Sequence, residues 1–309
     1  LLLKIKEGER WKTLLRDMYK LVAIDLDGTL LNSYGEVSEK NKNAIKMARE
    51  KGTVVAIASG RPITSAKSYA IEAGTDKFVI CGNGSVLYDM EENKILYSKF
   101  IERQKALQII KICEENSIFF NIYTENLTVS KSLNYNVLFY NNENRNVTDD
   151  KKTNIKIIDD IYKYVIENPE LKILKITICD ESKIIFDSII RKLREVKNVD
   201  VLELQHMARK YIRLGTEERT VEYYYTEITS EGVDKWGAVR ELADRLNIDT
   251  SEIIAIGDNM NDKLMIENAG LGVMMGNCAP YMHEFADTVV SDNNNDGVAE
   301  AIEKYIINV

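Results

Sequence analysis

Two aspartates close an apolar, β-branched run near the start of the chain: in Lys20 to Leu30, KLVAIDLDGTL, Asp25 and Asp27 follow Leu21, Val22, Ala23 and Ile24 and precede Gly28 and Thr29. The run reads as a buried parallel strand. In open α/β sheets ligands sit outside the carboxyl ends of the strands, so both carboxylates are expected to project into a ligand site and not into the core. Comparable groups recur at the ends of other apolar runs: Ser59 with Gly60, Lys235 just ahead of a helix or in its first turn, and Asp258 with Asn261 and Asp262. Each alone has an ordinary account, as a turn, a cap or a solvated lysine. Together they form a carboxylate cluster without histidine or cysteine, the donor set of a hard cation such as Mg²⁺, which takes a few protein oxygens and keeps its waters and a substrate phosphate. Two unit charges about 4 Å apart interact by roughly 4 kcal/mol at an effective dielectric near 20, so a phosphate dianion is repelled from an aspartate nucleophile. Mg²⁺ held by Asp25 and Asp258, with Lys235 and the amides after Leu26 and at Ser59-Gly60, would reverse that sign. The carboxylate can then attack phosphorus.

The elements that must position these groups alternate. Strand Leu21 to Ile24 precedes a helix expected from about Ser38, as N-cap, to Lys51, with Gly52 as its stop. A second strand, Thr53 to Ala58, ends at Ser59-Gly60-Arg61, where Pro62 suits the first turn of another helix, and a third, Phe78 to Ile80, ends at Cys81-Gly82-Asn83-Gly84. Alternation resumes near Asp234 with an amphipathic helix, strand Ile253 to Ile256, the string Gly257-Asp258-Asn259-Met260-Asn261-Asp262, strand Leu271 to Met274, and the closing segments Thr288 to Val290 and Val298 to Ile307. Such order implies right-handed βαβ crossovers and a Rossmann-like parallel sheet, an α/β core in two pieces.

Between the pieces the character changes. Helical patterns at Glu102 to Asn116, Asp159 to Glu167 and Glu181 to Glu195 separate short strands such as Ile173 to Ile178 and Val199 to Leu204. The polar stretch Asn141 to Asn154 reads as a loop, and Met207 to Thr229 as one hairpin or two. The expected organisation is a core of 18–98 and 224–309 with an inserted α+β unit at 99–223. Residues 1–17 fit neither and read as an upstream extension or a docking helix, since Met18 directly before the first strand looks like a natural start.

Composition narrows the partners. The 309 residues are 45% hydrophobic and 29% charged, the balance of a globular protein. No apolar run approaches the roughly 20 residues that span a bilayer, and Leu1 to Leu3 is interrupted by charge too soon to be a secretory signal, so a cytoplasmic protein without a membrane partner is expected. The net charge of -8 disfavours nucleic acid, whose binding needs clustered Lys and Arg. The four cysteines, Cys81, Cys113, Cys179 and Cys278, form no C-x-x-C pair and are expected to be reduced and structural. His206 and His283 lie far from every group above and suit surface or structural places.

In this order, DLDGTLL, ASGR, the later lysine and GDNMND resemble the four motifs of the haloacid dehalogenase superfamily of aspartyl phosphohydrolases. The segments ICGNGSVLYD, EGVDKWGAVRELADRLNI, MMGNCAPYMHEFADTVV and NNNDGVAEAIEKYI are similar to its Cof-type subfamily, whose members carry a large C2-type cap. The resemblance covers 18–98 and about 227 to the end; the 99–223 insert matches the cap in position and size only.

That resemblance implies roles. Asp25 would be the nucleophile and a Mg²⁺ ligand. Asp27 would bind Mg²⁺ through its backbone carbonyl and serve with its side chain as general acid, then base. The Leu26 amide, Ser59, Gly60, Lys235 and Asn261 would hold phosphoryl oxygens, Asp258 would complete the metal shell, and Asp262 would orient Lys235 or a metal-bound water. Thr29 would cap or brace the loop and not contact substrate. One departure stands out: members usually carry Gly directly after the motif lysine, whereas here Trp236 stands there and Gly237 follows, which bears on the helix start and on substrate range.

The function so implied is a Mg²⁺-dependent phosphatase acting on a small phosphorylated metabolite, a sugar phosphate or related ester, through an aspartyl-phosphate. Phosphomutase-type transfer uses the same chemistry, and a non-catalytic sensor of a phosphorylated ligand is the alternative from another class. The ester itself is left open, because the insert that would select it carries no readable motif. Oligomeric state has no signature in the sequence.

Overall fold

The protein is described by a computed structural model covering residues 19–145, 147–202, 208–214 and 217–308, with backbone alone for 208–214 and 217–219. In chain order the first elements are β1 (Leu21–Ile24), α1 (Glu39–Glu50), β2 (Val54–Ala58), α2 (Ile63–Ala73), β3 (Phe78–Cys81), β4 (Val86–Asp89) and β5 (Lys94–Ser98). There follow α3 (Arg103–Glu115), β6 (Phe119–Thr124), β7 (Thr128–Ser130), α4 (Tyr135–Glu143), β8 (Ile155–Ile157), α5 (Ile161–Glu167), β9 (Ile173–Asp180), α6 (Lys183–Leu193), β10 (Val199–Val201), β11 (Ala208–Leu214) and β12 (Glu217–Ser230). The last are α7 (Lys235–Leu246), β13 (Ile253–Gly257), α8 (Lys263–Asn268), β14 (Leu271–Met275), β15 (Thr288–Val290) and α9 (Gly297–Ile302). Among the described residues no helix is long and apolar enough to cross a membrane.

Contacts divide the chain into two compact units. The first holds the described residues up to Ser59, Tyr69–Val79, and those from Val239 on; the second holds Gly60–Ser68 and Ile80–Ala238.

In the first unit the strands run in the order β15-β14-β13-β1-β2-β3. The register is parallel throughout the middle: Ile24 pairs with Ile256 on one side and Ile57 on the other. Every residue of β1 and β13 is buried, so these strands read as continuous apolar runs, the pattern of a sheet covered on both faces. The chain lays down β1 first and then builds outward on both sides of it, which puts a topological switch point beside β1. Helix α1 starts where expected, with the Ser38 hydroxyl accepting the Asn41 amide proton, and its buried Ala44, Ile45 and Ala48 face inward.

The second unit holds the β4–β5 hairpin and a separate sheet in the order β10-β12-β9-β6-β7-β8, with β11 paired to β12. Its central pairs are antiparallel and obey the two-residue period of a strand. One face carries Phe120, Ile122, Ile176, Ile178 and Ile228, packed with α3, α5 and α6 into an apolar core. The other carries Asn121, Tyr123, Lys175, Thr177 and Cys179, which are polar or sulfur-bearing and nevertheless buried.

One expectation about this unit is corrected and one open alternative is decided. The stretch expected as a loop from Asn141 begins inside α4, and a short 3-10 turn occupies Asp149–Lys151. Helix α4 has one buried apolar anchor, Val137, so it lacks an amphipathic stripe; its Asn136 instead donates to Asn121 Oδ1 at 3.0 Å and Tyr123 Oη at 2.9 Å on the polar face. The segment left between one hairpin and two is one: Ala208 pairs with Tyr223 and Leu214 with Glu217. The Tyr223-Tyr224-Tyr225 string lies inside β12, where pairing passes from β11 to β9. His206 and residues 1–17 lie outside the described residues, and His283 is exposed.

Candidate functional site

Strand ends bring the first group together. Because β1 lies between β13 and β2 in parallel register, Asp25, Asp258 and Ser59 all follow strands that finish at the same edge of the first unit. The Asp25 amide continues the ladder by donating to the Ile256 carbonyl at 3.0 Å. Carboxylate oxygens of Asp25, Asp258 and Asp262 lie within 4.8 Å of one another, Asp25 and Asp262 buried and Asp258 partly so. At that spacing and an effective dielectric near 20, each like-charged pair opposes the other by about 3 to 4 kcal/mol, so the cluster is one that a cation stabilises. Its donors are all hard oxygens, and they fit Mg²⁺ better than a soft metal.

Backbone economy keeps the cluster tight. Gly28 has φ +83°, and a Cβ there would fall 2.4 Å from Asp258 Oδ2; a Cβ on Gly257 would meet Asp262 Cβ at 2.5 Å. Both carboxylates therefore need glycine at their backs. Asp262 Oδ2 accepts the amide protons of Asp258 and Asn259, each at 3.0 Å, which folds the G-D-N-M-N-D string back on itself. The Thr29 hydroxyl donates to Asp258 Oδ1 at 3.0 Å, the bracing role anticipated for it. Burial and the charge of Asp258 push the Cys278 thiol upward, and all four cysteines are free and buried.

The other residues singled out in this unit hold distinct places. Leu26 is buried; its carbonyl accepts the amide protons of Thr29 and Leu31, closing the loop after β1. Asp27 is exposed, Ser59 is wholly buried, and Asn261 is half-buried in a 3-10 turn at Met260–Asp262.

A support of this loop escaped the sequence reading. Asn277 Nδ2 donates to the Gly28 carbonyl at 2.9 Å, and Asn277 Oδ1 accepts the Asn293 amide proton at 3.1 Å. Asn293 Nδ2 donates to the Leu31 carbonyl at 2.7 Å, and the Ser33 amide donates to Asn294 Oδ1 at 2.9 Å. The run Asn293-Asn294-Asn295-Asp296-Gly297 ahead of α9 was the available signal.

Gly60 and Lys235 belong to the second unit. Lys235 is the first residue of α7 and wholly buried, an ammonium that a fold retains only where opposite charge answers it. Asp234 caps the helix by accepting the Gly237 amide proton at 2.8 Å. The helix thus begins at the lysine in spite of the following indole, and Trp236 is 9% exposed.

A sequence profile of the haloacid dehalogenase-like hydrolases matches residues 22–302. The protein YxeH of Bacillus subtilis (strain 168) is 31% identical over 301 residues, which is 94% of this chain and 99% of that protein. The 5-amino-6-(5-phospho-D-ribitylamino)uracil phosphatase YcsE of the same organism is 27% identical over 297 residues, 93% and 96% of the two chains. A solved haloacid dehalogenase-like hydrolase from B. subtilis superposes with a TM-score of 0.76 at 26% identity, covering 92% of this chain and 99% of its own.

Proposed function

The chain belongs to the haloacid dehalogenase-like hydrolases, and we propose that it is a Mg²⁺-dependent phosphatase of small phosphomonoesters that works through an aspartyl-phosphate. The observation that carries the reading is the meeting of buried Asp25 and Asp262 with partly buried Asp258 at neighbouring strand ends. Asp25 and Asp258 would hold the metal with their carboxylates and Asp27 with its backbone carbonyl, and Mg²⁺ there would supply the charge that offsets repulsion between the phosphoryl group and the nucleophile.

An Asp25 oxygen attacks phosphorus and the P–O bond to the leaving alcohol breaks. Asp27, protonated, gives its proton to the departing oxygen. Its carboxylate then takes a proton from the water that attacks phosphorus, returning Asp25 and releasing inorganic phosphate. Exposure of Asp27 suits a group that must trade protons with both alcohol and water. The Leu26 amide, Ser59, Gly60, Lys235 and Asn261 receive the phosphoryl oxygens, and Asp262 fixes the loop of Asp258.

Residues 99–223 are the inserted unit that chooses the alcohol, and 18–98 with 224–309 are the core that carries the nucleophile. The leaving group is polyhydroxylated, as in a sugar phosphate or a ribityl phosphate such as the substrate in the name of YcsE. Assay of a panel of phosphorylated metabolites with and without Mg²⁺ tests this reading. Turnover should need the metal, and Asp25→Asn should lower it by more than about a thousandfold with the fold retained. Turnover by Asp25→Asn at the wild-type rate would remove the nucleophile from the scheme.

A further inference from the structure

The polar face of the second unit's sheet contains an ion pair between a buried lysine and a partly buried glutamate. Lys175 on β9 is 3% exposed, its ammonium 2.5 Å from Glu227 Oε1 on β12 and 4.6 Å from the centroid of the Tyr123 ring on β6. A hydrophobic pair at such a place is often as stabilising or more so, which directs attention to what else the charges hold.

They hold Asn83. Its carboxamide nitrogen donates to the second Glu227 oxygen, Oε2. Asn83 sits at φ +57°, a left-handed conformation that asparagine tolerates better than most residues. The other end of the carboxamide bears on Gly60: a Cβ there would lie 2.7 Å from Asn83 Oδ1 and 3.2 Å from Lys175 Nζ.

The surrounding backbone is tied to the same strand. The Gly82 amide donates to the Arg61 carbonyl at 3.0 Å, and the Ser85 hydroxyl donates to the Leu174 carbonyl at 3.1 Å. Gly60 and Arg61 are thus backed by a segment that is itself fastened to β9, and the ion pair sits at the centre of that fastening.

We propose that Lys175, Glu227 and Asn83 are positioning residues that set the Ser59–Gly60 turn for the phosphoryl group. The inference rests on the phosphate-holding role assigned to Ser59 and Gly60 above. Its consequence is that the grip of Gly60 on phosphate depends on an ion pair between β9 and β12 of the same unit.

Calorimetric titration of the full-length protein with inorganic phosphate, at saturating Mg²⁺, tests it. Glu227→Gln keeps the shape and the contact to Asn83 while removing the charge that seats Lys175. Phosphate affinity should fall about tenfold with Mg²⁺ affinity unchanged, measured below the lowered thermal unfolding midpoint expected when Lys175 is left buried without its counter-charge. Were Lys175 acting through its own charge on the anion, freeing it from Glu227 would tighten phosphate binding; that result, or an unchanged affinity, overturns the proposal. Should Glu227→Gln fail to fold, Asn83→Ala reads the same quantity with the ion pair intact, and Lys175→Arg should recover part of what Lys175→Met loses. Wild-type protein that binds phosphate but turns over no ester would sink the hydrolytic reading and leave this comparison standing; wild-type protein that binds no phosphate would overturn the inference at once.

Discussion

The two sheets handle polar residues in opposite ways. In the first unit β1 and β13 are apolar and buried along their length, and the carboxylates appear only where the strands stop. In the second unit the antiparallel strands alternate, so polar side chains are spread over a whole face, with Asn121 and Tyr123 beside Thr177 and Lys175. A sheet covered on both sides has no room for charge except at its ends, which concentrates reactive groups at one edge. A sheet with one apolar face can carry polar groups anywhere on the other, but each must then find a partner or remain unsatisfied. The amide nitrogen of Asn121 and the hydroxyls of Thr128 and Thr177 are buried on this sheet without a hydrogen-bond partner.

The contrast can be broken at either sheet. The largest effect is expected at the edge of the first: Asp27→Asn should slow hydrolysis of an alkyl phosphate by about 10² to 10⁴, and much less for an aryl ester whose leaving group needs no proton. Equal losses on the two esters, measured in steady state, would remove Asp27 as the acid. Next comes the apolar face of the second sheet, where Ile176→Ala should cost about 2–5 kcal/mol in denaturant unfolding, because Ile176 is wholly buried in the core. The smallest change is one residue further on: Thr177→Val should alter stability by less than about 1 kcal/mol, or raise it, since the hydroxyl has no partner to lose. A loss at Thr177 as large as that at Ile176 would mean that the polar face is held together by hydroxyls after all.

The same contrast explains what could be read from residues alone. Chemistry at a strand end is contiguous in the chain, so Asp25 with Asp27, and Asp258 with Asn261 and Asp262, stood out as strings. Capping made α1 legible too, through Ser38 and Gly52. Chemistry on a sheet face appears at every second residue of strands far apart in sequence, and nothing around Lys175 or Glu227 marks them as partners across 52 positions. Helix α4 was invisible for a related reason: its asparagines look like loop residues until Asn136 is seen to bond a face whose polarity was itself unreadable. The grip of Asn277 and Asn293 on the 28–31 loop lies between these cases, a conspicuous run whose target is remote.

The pairing of β1 with β13, Leu21 opposite Ile253, also governs how the molecule is made. A ribosome delivers β1 well before β13, so one of its two hydrogen-bonding edges waits for a partner synthesised more than two hundred residues later. Until then the nascent chain carries an open apolar strand, the kind of edge that invites association with a foreign strand. Asp25 is therefore made more than two hundred residues ahead of Asp258 and Asp262, the carboxylates it meets in the folded sheet.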